Sequence, residues 1–169
     1  LDGIWDYDAV GGSTFYSERF LELLGLPPDA RFDPGQYEAL VHPEDRARVL
    51  AAREQGRRHR RPYSVEVRLA LPSGEHRWFL ARGQGQWDES GRLLRSIGSI
   101  SDITDRKAGE LQLAESAARL AAQTSRLAAF VEQAPAAIAM FDSSLRFVAA
   151  SRRWLDTFMR GEREVVGLP

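Results

Sequence analysis

The chain has 169 residues, 43% of them hydrophobic, with 23 basic against 24 acidic side chains, a net charge of −1 and no cysteine. That is too apolar for a disordered chain and enough for one domain plus part of another. The charge balance excludes wholesale nucleic-acid binding, which needs a basic surface, and the missing cysteine excludes disulfides, a thiol nucleophile and a cysteine-ligated metal.

Residues 3–8 alternate apolar with polar side chains and predict a strand. Gly11 and Gly12 make a turn, and residues 14–16 return as a second short strand. Ser17 suits the cap of a helix over 18–24, with Phe20, Leu21 and Leu24 on one face and Gly25 at its end. A further short helix is predicted over 33–40, with Pro34 in its first turn.

His42, Pro43, Glu44 and Asp45 then read as the start of another helix, the two carboxylates serving its N-terminal amides. That helix is expected to run to about Gln55, and residues 56–62 to form a basic, solvated loop.

Tyr63, Val65, Val67, Leu69 and Leu71 alternate with Ser64, Glu66 and Arg68, the signature of a strand buried on one face. Turns at 72–75 and 88–91 separate it from strands over 76–87 and 92–101, completing a meander. The expected fold class is α+β: a five-stranded antiparallel sheet with helices on one face.

Residues 102–134 carry the strongest helical signal, with no Gly after Gly109 and no Pro before Pro135. Beyond them the opening of the chain recurs without gaps. Ile4 aligns with Ile138, Asp8 with Asp142, Ser17 with Ser151, Phe20 with Trp154 and Leu21 with Leu155. The expected organisation is a domain over 1–104, a helical linker over 105–134 and the beginning of a second domain, truncated, over 135–169. Some 40 residues cannot bury a full core, so the chain reads as a fragment of a longer protein.

A family resemblance rests on these motifs taken in order. They are residues 3–6 (Gly-Ile-Trp-Asp), 17–20 (Ser-Glu-Arg-Phe), 42–46 (His-Pro-Glu-Asp-Arg), 66–69 (Glu-Val-Arg-Leu), 73–78 (Ser-Gly-Glu-His-Arg-Trp), 88–91 (Asp-Glu-Ser-Gly) and 98–107, which end in Asp-Ile-Thr-Asp-Arg-Lys. The first unit resembles a PAS domain with its C-terminal PAC part, and residues 126–169 resemble the opening third of another. Ser73 departs from the family's usual Asp before the turn glycine. The resemblance implies a sensory or interaction module without chemistry of its own, placed before a histidine kinase or diguanylate cyclase output. A ligand-free dimerisation scaffold is the other class it allows.

No nucleophile–base pair or phosphate loop is present, so no catalytic residues are assigned. His42, His59 and His76 fall at a helix start, a loop and a turn, which argues against haem and against a metal site. A flavin–cysteine adduct or a cysteine-linked chromophore is impossible, and no cofactor is required. Trp5, Phe20, Leu24, Tyr37, Val41, Val65 and Val67 are core residues that double as pocket candidates for an unidentified small-molecule ligand.

Asp102, Ile103 and Thr104 are expected to couple sheet to helix, with the Thr104 hydroxyl as helix cap. Leu113, Ala117, Leu120, Thr124, Leu127 and Val131 follow heptad spacing. They predict a weak parallel homodimer through 105–134, with an output domain downstream in the parent chain and no nucleic-acid partner. The alternative is a single helix packed on its own domain. No run approaches the ~18 apolar residues of a membrane span and no signal-peptide layout opens the chain. The expected setting is cytoplasmic, compatible with an anchor elsewhere in the parent.

Overall fold

The computed structural model describes residues 1–159. The chain divides into two compact units, Leu1–Gly109 and Glu110–Pro169. The part of the expected second domain beyond residue 159 lies outside the described residues.

The first unit runs β1 (Gly3–Asp8), β2 (Ser13–Tyr16), α1 (Glu18–Leu23), α2 (Pro34–Leu40), a 3-10 turn (Pro43–Asp45), α3 (Arg46–His59), β3 (Tyr63–Ala70), β4 (His76–Trp87) and β5 (Leu93–Asp102). All strand pairs are antiparallel, in the order β2-β1-β5-β4-β3. The unit's first and last strands therefore meet in the middle of the sheet, because β5 inserts between β1 and β4.

The alternation of β3 sets the layering. Val65, Val67 and Leu69 are buried with Phe79 of β4 and Ile100 of β5, against Phe20 and Leu24. Glu66 and Arg68 alternate with them and take the opposite face. Local chemistry fixes the helix ends. Asp33 and Gln36 close a reciprocal capping box on α2, and Gly25 takes φ +70° after α1.

The basic stretch differs from the sequence expectation. Helix α3 continues through Gly56 to His59, and Arg60 ends it in the left-handed conformation. Two effects favour this. Arg57, Arg58 and His59 lie in the last turn, where cations complement the helix dipole. Gly56 suits its place inside the helix because a Cβ there would sit tightly, 3.1 Å from the Arg61 carbonyl oxygen and 3.2 Å from the Tyr63 Cβ.

Helix α4 spans Thr104–Glu132, 29 residues and so about 44 Å. The second unit continues with β6 (Ala139–Phe141), β7 (Phe147–Ala150) and α5 (Arg152–Phe158). Its small core gathers Phe147, Trp154 and Met159 on Ala150 and Leu155.

The repeat extends to individual hydrogen bonds. The Ser17 hydroxyl accepts from the Ile4 and Phe20 amides at 2.9 and 3.2 Å. Ser151 accepts from Ile138 and Trp154 at 2.9 and 3.2 Å. One serine thus ties strand to helix in both units.

Candidate functional site

Two features of the first unit can act on the rest of the chain: the junction where the sheet becomes α4, and a cavity on the helical side of the sheet.

At the junction the strand β5 turns directly into a helix. The Asp102 carboxylate accepts from the Thr104 amide at 2.9 Å and so does the capping. Thr104 is thereby released from the capping role expected of it. Its hydroxyl reaches sideways and accepts from the Trp78 amide of β4 at 3.1 Å. The neighbouring Ile103 amide donates to the Trp78 carbonyl at 2.8 Å. Both backbone groups of Trp78 are therefore held by consecutive residues at the root of α4. Ile103 is buried, and its carbonyl starts the helix by accepting from the Lys107 amide at 2.9 Å. Arg77 lies 3.8 Å from Asp102, a loose pair, and 3.2 Å from Glu75.

A charged array on the outer face of the sheet fastens the first turn of α4. Glu66 of β3 accepts from Arg106 at 2.6 Å and lies 2.5 Å from Lys107. These two cations, Lys107 foremost, hold its carboxyl below the usual glutamate range. Lys107 and Arg68 both lie over the Trp78 ring, each 5.3 Å from its centroid.

Arg68 in turn binds Asp45, whose carboxylate is buried. Asp45 accepts from the Arg68 amide at 2.9 Å, from its Nε at 3.0 Å and from its Nη2 at 3.0 Å, and pairs with Arg48 at 2.9 Å. The Arg68 guanidinium, first among these partners, holds the Asp45 carboxyl far below the usual carboxylate range. Asp45 therefore does not serve α3's amides as the sequence suggested. His42 caps the 3-10 turn instead, its Nδ1 accepting from the Glu44 amide at 3.3 Å. The 42–46 motif thus fastens the helical layer to β3, one strand away from the junction. Sequence reasoning placed Glu66 and Arg68 on the wet face of β3 and Trp78 within the 73–78 motif, but gave none of them a role at the junction. The charged even positions of β3 were the available signal.

The cavity has a volume of about 380 Å³. It exists because the inner face of the sheet runs out of side chains. Opposite residues step from Ala81 and Ile100 to Gly83 and Gly98, then to Gly85 and Ser96. Aromatic rings lie directly on these glycines. A Cβ on Gly98 would stand 2.4 Å from the Trp5 ring, and one on Gly83 would stand 2.5 Å from that of Tyr63. Trp5, Phe20 and Tyr37 line the space, while Leu24, Val41, Val65 and Val67 belong to the packed core beside it. Burial pushes the Tyr37 phenol up to about 12 and raises Tyr63 as well, so both are neutral at pH 7. Among the described residues, no three His, Asp or Glu are gathered to hold a metal ion, and no helix is long and apolar enough to cross a membrane.

The seam residues lie along the middle and second half of α4. Leu113, Leu120 and Leu127 are 74%, 67% and 60% exposed. Ala117 and Thr124 are exposed with them, whereas Val131 is buried.

Comparison with known proteins gives a consistent result. A family model described as "PAS fold" matches residues 13–100, and one described as "PAS domain" matches residues 125–166. A solved sensory box histidine kinase/response regulator from Burkholderia thailandensis is 38% identical, with 70% of this chain and 89% of that chain covered and a TM-score of 0.62. The blue-light-activated histidine kinase of Brucella ovis is 30% identical over 111 residues, 64% of this chain and 21% of that protein. An uncharacterized protein of Sinorhizobium fredii is 28% identical over 163 residues, 96% of this chain and 19% of that protein. The chain spans about a fifth of the length of these curated relatives.

Proposed function

The chain belongs to the PAS domain family, and on that premise we propose that it is the non-catalytic sensory and dimerising region of a bacterial sensor histidine kinase. Residues 1–104 form its first PAS domain, residues 105–134 a helical linker, and residues 135–169 the start of a second PAS domain. A change in the first core shifts β4 and β5. Asp102, Ile103 and Thr104 pass the shift into α4. Two copies of α4, paired in parallel, then alter their packing and bias an output domain further along the parent chain.

The observation that carries this reading is a helix rooted firmly at one end and bare along its middle. Side chains at 111–127 are exposed throughout, so tertiary packing does not hold this stretch, although packing supplies most helical stability in proteins. A second copy of α4 supplies it. Leu113, Leu120 and Leu127 recur every seven residues, and the intervening Ala117 and Thr124 are small. The Thr124 hydroxyl already donates to the Leu120 carbonyl at 3.0 Å, so it can enter a seam without an unmet hydrogen bond. Such a contact is thin, and a thin contact is cheap to rotate, as a relay requires.

Disulfide trapping tests the pairing, because the chain has no cysteine of its own. Leu113→Cys and Leu127→Cys, made singly, are each expected to crosslink to themselves under mild oxidation, and Ala122→Cys is not. Only a parallel pair lets both ends of the seam meet their own copies. Crosslinking at Ala122→Cys but at neither leucine position contradicts the seam.

A further inference from the structure

We propose that the cavity of the first unit takes an aromatic monocarboxylate, its ring against the aromatic wall and its carboxylate at Arg53 and Arg61. This rests on the reading of the unit as a sensor and names the chemistry of what it senses.

Shape and lining call for a flat apolar body. A volume of about 380 Å³ lies near the small end of the range for small-molecule pockets. The Trp5 and Tyr63 rings lie against the glycine floor and give the space an aromatic lining, and offset stacking of rings is favourable.

Charge fixes the other end of the ligand. Arg53, Arg57 and Arg61 all line the cavity, together with Glu38 as the one lining carboxylate among the described residues. Arg57 is spent, gripped at 2.8 Å by Glu54. Arg53 reaches Glu38 only at 3.5 Å and lies over the Tyr37 ring, 5.1 Å from its centroid. Arg61 has no ion pair among the described residues. Two guanidiniums facing one carboxylate leave a single positive charge to be met. A monoanion meets it, whereas a phosphate ester or dicarboxylate brings more negative charge than this rim balances. The buried phenols of Tyr37 and Tyr63 add none at neutral pH. Arginine's planar fork suits a carboxylate in particular.

The probes are 1-naphthoate and its uncharged counterpart 1-naphthamide, titrated into the 169-residue chain by calorimetry and by quenching of tryptophan fluorescence. Saturable binding of 1-naphthoate is expected, with 1-naphthamide at least about tenfold weaker, the cost of one charge-assisted contact. Arg61→Gln, a change at an unpaired surface cation, is expected to weaken 1-naphthoate about tenfold and leave 1-naphthamide and the melting temperature unchanged. Equal binding of the two probes, indifference of 1-naphthoate to Arg61→Gln, or no saturable binding of either overturns the assignment. The crosslinks at Leu113→Cys and Leu127→Cys report on the relay separately. Crosslinks without naphthoate binding therefore overturn the ligand class alone, and binding without crosslinks overturns the relay alone.

Discussion

Leu120→Arg is expected to leave the chain folded and to abolish its dimerisation. The side chain is 67% exposed in the single chain, so folding loses almost no burial when it is replaced. Association loses much more. In a parallel pair Leu120 meets its own copy at the centre of the seam, and each buried leucine contributes about 1.5–3 kcal/mol. The substitution removes two of these and sets two guanidiniums face to face in a contact that must exclude water. With Ala117 and Thr124 as the flanking seam positions, little is left to compensate. Sedimentation velocity is expected to show the wild type as a concentration-dependent dimer and the variant as monomer at every loading, with unchanged circular dichroism. A dimer that persists in the variant rules out this seam as the contact.

Asp45→Ala is expected to be the most destabilising single change among the charged residues of the first unit, at about 3 kcal/mol. Breaking a well-bonded buried pair leaves a poorly met charge, here Arg68, which keeps the exposed Glu44 at 2.8 Å and the Trp78 ring. Residual exposure of Arg68 places the effect at the lower end of the range for such pairs. The loss is a large share of a typical domain's stability of about 5–15 kcal/mol.

The pH dependence follows from the sign of the shift. The folded Asp45 carboxyl is held below its unfolded value, so its contribution is fully present above that unfolded value. It is lost as pH falls below about 4 toward the depressed folded value. The urea midpoints of wild type and variant are therefore expected to lie far apart at pH 7 and to converge in acid. The fluorescence of Trp5, Trp78 and Trp87 follows this unit when Trp154→Phe silences the other. A gap independent of pH would mean that the carboxylate's charge is not what holds β3 to the helical layer.

Much of the architecture was legible because it is local. The alternation across β3, the glycine turns and the capping serines write their structure into neighbouring residues. The recurrence of Ser17 as Ser151 even carried its hydrogen bonds with it. What escaped depends on pairs far apart in sequence. Asp45 looked like a helix cap because capping is the nearest use for a carboxylate after a proline. Arg68, 23 residues later, claimed it. Thr104 looked like a cap for the same reason, and Asp102 served instead while the threonine reached across to β4. The basic stretch at 56–62 read as a loop because glycine usually interrupts helices. At Gly56 the close approach of Arg61 and Tyr63 leaves little room for a side chain, so glycine suits the helix there. The cavity was least legible of all. Gly83 and Gly85 leave its floor without side chains, and only the sheet register sets them opposite Gly98 and Ser96.

The central claim is that the sheet sets the packing of α4 through the hydrogen bonds at Trp78. Thr104→Val removes one of these bonds and keeps the shape of the side chain. A spin label at Ala122→Cys, the sole thiol in the chain and outside the seam, reports the distance between the two helices by pulsed dipolar spectroscopy. Thr104→Val is expected to shift or broaden that distance distribution while the dimer and the circular dichroism of the sheet are retained. An unchanged distribution in an intact dimer would contradict the account, because α4 would then pack without reference to the domain that roots it.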